Sequence, residues 1–305
     1  MKKEENPLAR ENAQLREKIG LLEDKIGLLT DKNAELEILS KNYRRIAYRL
    51  GDEVKNHWFH VLRIFIETIE ARDHYTRGHS ERVTKYVIII GKAMDLSESE
   101  IKQSHQAGHL HDAGKIYWDR EDFRRKELKP KHRQTLREHP VVGSEYLLNI
   151  GIDKKICKIV RHHHERYDGK SIITHPNELY TGYPGELSGE DIPLPSRIIA
   201  VADTFDAMTT DRPYRKKKSV EETIEELKRC SGLPYNKRLI PNRKSEMQFD
   251  PEIIKALLSV KTVGSEKSNT SHKLGCPYLL RIDSLDMVVN PSGYAPCKAC
   301  IRKAV

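Results

Sequence analysis

The residues best suited to chemistry are histidines and aspartates set close together. "RHHHERYDG", residues 161–169, places three imidazoles in a row beside two carboxylates. A hydrophobic core has no use for such a run. A cation does, because imidazole and carboxylate are both metal ligands. "GHLHDAGKIY" sets His111 beside Asp112, and Lys115 lies four residues beyond His111, on the same face of a helix. "RGHSERV" supplies His79 at the start of a helical pattern, and "REHPVVG" supplies His139 before Pro140. "AVADTFDAM" supplies Asp203 in an otherwise apolar helix, with Asp206 one turn on. Among the 14 histidines, His57, His60, His105 and His132 have no acidic company and read as surface or core residues.

These donors suit iron, manganese, zinc or nickel better than soft-metal thiolate chemistry. With an adjacent pair taken from the triplet, seven ligands are at hand. That is too many for one ion with open positions and suits two ions sharing a bridging carboxylate. Two ions ~3.5–4 Å apart can activate a bridging water and hold a phosphoryl group for in-line attack. The chemistry implied is hydrolysis of a phosphate ester.

The elements that must position these groups read as helices. From about residue 40 to 260, apolar residues recur at three- and four-residue spacing in "VLRIFIETIEA", "RVTKYVIIIGKAM", "VVGSEYLLNIG", "IDKKICKIV" and "SRIIAVADTFDAM". Gly143, Gly151 and "GYPGELSGEDIPLP" read as punctuation between them. The expected fold class is all-α, a helical bundle over residues 41–262. Ahead of it, residues 1–40 carry a heptad, with Leu8, Leu15, Leu22, Leu29 and Leu36 at d and Asn12, Ile19, Ile26 and Asn33 at a. That combination favours a parallel two-stranded coiled coil, hence a homodimer. The flanking pairs Glu11–Arg16, Lys18–Glu23 and Lys32–Glu37 are all attractive across such a dimer. Only "MKKEENP" precedes the heptad, so the basic helix of a DNA-binding zipper is missing and no DNA partner is expected.

Residues 263–305 read as a linker, "GSEKSNTSHK", followed by a small cysteine-containing tail. His272, Cys276, Cys297 and Cys300 could make a closed structural zinc site. Simple thiols and a redox pair are the alternatives. Cys157 and Cys230 fall in helical patterns and read as buried thiols. Five cysteines in 305 residues are too few for a secreted disulfide framework. No apolar run approaches the ~18 residues of a membrane span, and the N-terminus lacks a secretory signal, so a cytoplasmic protein is expected. The net charge of +9 suits a phosphate-bearing ligand or a merely solvated basic surface.

The ordered series "YTRGHSERV", "LHDAGK", "EHPVVG", "HHERYDG", "GYPGELSGEDIPL", "RIIAVADTFDAMTTDRPYR" and "QFDP" resembles the HD-GYP family of HD-domain phosphohydrolases. Members of that family degrade cyclic di-GMP to linear pGpG and, in some cases, to GMP. The resemblance implies that His79, His111, Asp112 and Asp203 bind one ion and that His139, His163 and His164 bind the second, with Asp112 bridging. His162 is then the odd histidine of the triplet. Lys115 would contact the scissile phosphate, Arg212 and Arg215 would hold phosphates, and Tyr183 would line the substrate side. Glu165 and Asp206 would support the ligands. The ions implied are iron or manganese. Some members carry a glutamate four residues before the first histidine that helps hold a third ion; Tyr75 stands there, so two ions are expected. "KSIITHPNELYT", residues 170–181, is a twelve-residue insertion where the family usually has one residue. It is the best support for one alternative, an HD-type hydrolase of another nucleotide; a non-catalytic cyclic-dinucleotide sensor is the other.

Overall fold

The computed structural model of the chain describes residues 7–71, 78–117, 130–170, 172–175, 178–180, 182–211, 216–241, 244–265, 267–274, 276, 279, 281–283, 286–297 and 300. Tyr75, Arg212 and Arg215 lie outside them. The chain divides into two compact units, Met1–His60 and Val61–Val305.

In the first unit every described residue belongs to helix α1 (Pro7–Glu70), which continues across the division. Leu, Ile, Glu, Lys and Arg dominate this segment, all residues that lose little side-chain freedom in a helix. The heptad side chains stay exposed, from 50% at Leu15 to 67% at Leu8.

In the second unit α1 changes character. Ile66 and Ile69 are buried, and so is Glu70. The core helices are α2 (His79–Ala93), α3 (Glu98–Leu110), α4 (Pro130–Asn149), α5 (Lys154–Arg161) and α6 (Leu194–Thr209). Two further helices, α7 (Val220–Arg229) and α8 (Pro251–Ser259), close the bundle. The run from Val87 to Ile90 on α2 is entirely buried, because α3 and α6 both pack on that helix. Helix starts follow local chemistry. Ser97 with Glu100 and Ser219 with Glu222 form reciprocal capping boxes, and Asp250 of "QFDP" caps α8 while receiving a salt bridge from Arg197.

Short strands link the helices. β1 (His164–Glu165) pairs antiparallel with β4 (Gly182–Tyr183), opposing His164 to Tyr183. Between them the insertion carries β2 (Ile172–His175) and β3 (Glu178–Tyr180), an antiparallel pair. The C-terminal region departs from an all-helical reading. β5 (Val263–Ser265), β6 (Ser268–His272), β7 (Met287–Val289) and β8 (Ala295–Pro296) form one sheet in the order β7-β5-β6-β8. The segment expected to be a linker is thus two paired strands. Its small polar residues show no alternation, and burial of Val263 and Met287 within the sheet decides the conformation. Among the described residues no helix is long and apolar enough to cross a membrane.

Candidate metal centre

Each histidine and aspartate of the centre owes its place to a distinct local device. Gly78 takes a left-handed conformation (φ 67°) before α2, so that His79 opens the helix. Glu70 accepts hydrogen bonds from the Ser80 backbone amide (2.8 Å) and hydroxyl (2.5 Å), placing an anion at that helix start. His111 ends α3, and Asp112 lies in the turn that enters a 3-10 helix, Ala113–Tyr117, bearing Lys115. His139 comes from α4, beside Pro140 inside the helix. His163 and His164 follow the end of α5, with His164 on β1. Asp203 and Asp206 come from the same face of α6. Gly143 lies within α4 and does not end a helix. A side chain there would strike the Gly114 backbone nitrogen at 2.7 Å, so the two glycines let α4 close on the turn that carries Asp112.

Three histidines converge on Asp112. Its Oδ2 lies 3.4 Å from His111 Nε2 and 3.6 Å from His79 Nε2, while its Oδ1 lies 3.3 Å from His139 Nε2. Asp203 Oδ1 is 3.2 Å from His79 Nε2, and its Oδ2 is 4.0 Å from His164 Nε2. His139 Nε2 and His163 Nε2 are 3.4 Å apart. His79, His111 and Asp112 form one group with ligand atoms within 4.8 Å of one another, and His139, His163 and His164 form a second. Lys115 Nζ forms a salt bridge with Asp112 Oδ2.

The outer hydrogen bonds fix which nitrogen faces inward. His111 Nδ1 donates to the Gly108 carbonyl at 2.8 Å and His163 Nδ1 to the Val160 carbonyl at 2.6 Å, so both present the Nε2 lone pair to the centre. His79 Nδ1 donates to Asp206 Oδ2 at 2.8 Å. Asp206 in turn accepts a two-pronged pair from Arg82, 2.6 Å from Nε and 3.0 Å from Nη2. Glu165 does the corresponding work on the other side. Its carboxylate accepts from the amides of Gly185, Glu186 and Leu187, tying down the chain after Tyr183. His162 bonds Glu165 at 3.2 Å and stays outside both ligand groups.

Charge follows from these contacts. Burial would raise the Asp112 pKa, yet His111, Lys115, His139 and His79 hold it well below the usual carboxylate range. Burial would raise Asp203 too, and the hydrogen bond and charge of His79 hold it well below as well. Burial pushes His164 down to about 4 against the opposing charges of Asp203 and Asp112, and burial beside three other imidazoles pushes His163 well below its ordinary value. Burial opposes a charged His79, but Asp203, Asp206 and Asp112 push it up to about 10. The result is two ionised carboxylates facing the neutral imidazoles of His163 and His164, with His79 protonated unless a cation takes the proton's place. His111 Nε2 is buried and makes no hydrogen bond. An orphaned lone pair among carboxylates fits a divalent ion.

Tyr183 packs tilted against His164, 4.5 Å between ring centroids, and meets His139 edge-on at 6.0 Å. Asp203 (18%), Lys115 (19%) and His164 (20%) reach solvent and mark an open edge of the centre. Sequence reasoning missed Glu70, Arg82 and the Gly114–Gly143 approach. Arg82 alone had a local signal, lying one turn after His79 on α2. Away from this centre, His272, Cys276, Cys297 and Cys300 form a third group.

A family model described as an HD domain matches residues 63–239. This chain belongs to the HD-domain family. HD-GYP membership is supported by the motif series and by the relatives the HD domain matches. A cyclic di-GMP phosphodiesterase of Thermotoga maritima is 31% identical over 236 residues, 75% of this chain and 57% of the relative. The cyclic di-GMP phosphodiesterase response regulator RpfG of Xanthomonas campestris pv. campestris is 31% identical over 194 residues, 62% and 48%. The 3'3'-cGAMP-specific phosphodiesterase 3 of Vibrio cholerae is 28% identical over 199 residues, 65% and 38%. The HD-GYP chain thus spans roughly half the length of these curated relatives.

Proposed function

We propose that this chain is a metal-dependent phosphodiesterase that hydrolyses cyclic di-GMP to linear pGpG, with GMP as the further product. The observation that carries the reading is Asp112. Its two carboxylate oxygens face different histidine groups, His79 and His111 on one side and His139 on the other. A carboxylate so placed suits two cations. His79, His111, Asp112 and Asp203 would hold the first, and His139, His163 and His164 the second, with Asp112 shared.

Lewis-acid activation of water and neutralisation of phosphate charge are what two bound divalent ions, iron or manganese, supply. The chain's own residues do the rest. Asp206 and Arg82 hold His79 in one orientation, and the Gly108 and Val160 carbonyls do the same for His111 and His163. Substrate enters along the edge marked by Lys115, Asp203 and His164. Lys115 there donates to phosphate oxygens and steadies the departing one. Tyr183 offers an aromatic face beside His164, suited to a guanine base. Arg212 and Arg215 add guanidinium forks for phosphate. The same reading includes a parallel homodimer through the exposed heptad of α1, which supplies two catalytic units per assembly.

Three Vibrio cholerae relatives are named as specific for 3'3'-cGAMP, so that dinucleotide is the second substrate to weigh. Protein loaded with manganese or iron is assayed against cyclic di-GMP, 3'3'-cGAMP and nucleoside phosphates, with products separated by chromatography. Cyclic di-GMP should turn over fastest, and Asp112→Ala should lose both turnover and the ions of this centre. Faster turnover of 3'3'-cGAMP moves the substrate assignment. Tight binding of cyclic di-GMP by metal-replete protein without turnover replaces the enzyme with a sensor.

A further inference from the structure

The C-terminal sheet gathers four groups that the phosphodiesterase reading leaves unused. β6 ends on His272, and β8 is followed at once by Cys297. The two strands run parallel, pairing Ser271 with Pro296, and the Cys297 amide donates to the Ser271 carbonyl at 2.9 Å. Backbone pairing therefore brings residues from opposite ends of the tail to one point. Tight turns bring the other two. The Cys276 amide donates to the Lys273 carbonyl at 3.1 Å, and the Cys300 amide to the Cys297 carbonyl at 3.0 Å.

The ligand atoms then gather closely. Cys276 Sγ is 3.5 Å from His272 Nδ1 and 3.6 Å from Cys297 Sγ, and Cys297 Sγ is 3.3 Å from Cys300 Sγ. All four ligand atoms lie within 4.8 Å of one another, and all four residues are buried. A tetrahedral zinc ion with bonds of ~2.3 Å to sulfur and ~2.0 Å to nitrogen sets S···S edges of ~3.8 Å and S···N edges of ~3.5 Å. The three separations given need adjust by only ~0.5 Å or less to meet those edges. None of the three cysteines is joined in a disulfide, so no such bond competes for the sulfurs.

The surroundings support thiolate charge. The Lys273 amide points at Cys300 Sγ at 3.3 Å, and the Cys300 amide at Cys297 Sγ at 3.4 Å. Backbone N–H groups aimed at sulfur are the outer contacts that tune such a ligand. The tail also needs a staple. Its strands are two to five residues long, and among the described residues its buried apolar side chains, apart from the cysteines, are Val263, Leu279, Ile282 and Met287. A core that small seldom holds a fold without a cross-link or a metal.

We propose that His272, Cys276, Cys297 and Cys300 bind one zinc ion in a closed, structural site, independent of the histidine–aspartate centre. Four protein ligands leave no open position, so the ion holds the ends of β6 and β8 together and takes no part in hydrolysis. Three sulfurs and one imidazole select zinc over the iron or manganese of the other centre. The tail is then a zinc-folded unit seated against α2, where Lys92 Nζ donates to the Met287 carbonyl.

Full-length protein is expressed with zinc, purified anaerobically and analysed for metals, alongside Asp112→Ala and the double variant Cys297→Ser/Cys300→Ser. Asp112→Ala should keep one zinc per chain while losing the ions of the other centre. The double variant should lose that one zinc. Zinc-edge X-ray absorption on Asp112→Ala protein should give a shell of three sulfurs and one nitrogen, a readout that stands even if the double variant fails to fold. A shell of nitrogen and oxygen alone, an Asp112→Ala protein without zinc, or a Cys297–Cys300 disulfide in the anaerobic protein would each overturn the site.

Discussion

A methyl group at Gly114 tests how tightly the centre depends on backbone packing. A Cβ built there would lie 2.0 Å from the His139 carbonyl oxygen and 2.8 Å from the Gly143 nitrogen. Both obstacles are backbone, so no rotamer change relieves them. Reaching even a compressed carbon–oxygen contact of ~3.2 Å requires α4 and the 3-10 turn to part by ~1.2 Å. Asp112 lies two residues before Gly114, and His139 rides on α4 with its Nε2 3.3 Å from Asp112 Oδ1. Metal–ligand distances tolerate only ~0.2 Å, so the displacement removes the shared position of Asp112. Gly114→Ala should lose the second ion and drop turnover by ~100-fold, with ~1–3 kcal/mol of stability lost to overpacking. Metal analysis, turnover and urea unfolding read the three effects. Gly143→Ala, whose nearest obstacle is 2.7 Å away, should do the same more mildly. Gly51→Ala meets nothing within 4 Å and should leave metal and turnover unchanged while stabilising α1. A Gly114→Ala protein with wild-type metal content and turnover would refute the reasoning.

Two further outcomes follow from burial and from the heptad. His109 is 3% exposed, and burial, with the charges of His105 and Arg63 next, pushes its pKa down to about 3. Its contribution to stability is therefore whole above the unfolded value of about 6.5 and is lost as pH falls toward 3, because the unfolded chain takes a proton the folded one refuses. Between pH 7 and pH 5 the wild type should lose ~2 kcal/mol more than His109→Gln by urea unfolding, and equal losses would contradict the assignment. Leu22→Asp with Leu29→Asp puts charge at two successive d positions and should give monomers by sedimentation, with turnover per chain retained. A dimer surviving both changes would place the interface elsewhere.

Local chemistry made much of this protein readable from its residues. The heptad period, the capping pairs Ser97–Glu100 and Ser219–Glu222, and the imidazole–carboxylate clusters at His79, His111–Asp112, His139, His163–His164 and Asp203 all depend on neighbours within a turn or two. A chain records such relations directly, because helix geometry fixes which nearby residues meet. Spacing alone could not tell which two of three successive histidines face inward. The structure turns His162 to Glu165 and leaves His163 and His164 beside His139. The support of His79 by Asp206 and Arg82 joins α2 to α6, and the Gly114–Gly143 approach joins two backbones. Those contacts leave no periodic mark, since each partner is one polar or small residue among many. The C-terminal strands escaped for a related reason. Small polar residues carry no β pattern of their own, and pairing with β7 and β8 decides their shape. Side-chain type marked the candidate ligands in the sequence, whereas their convergence came only when long-range packing placed distant helices around Asp112.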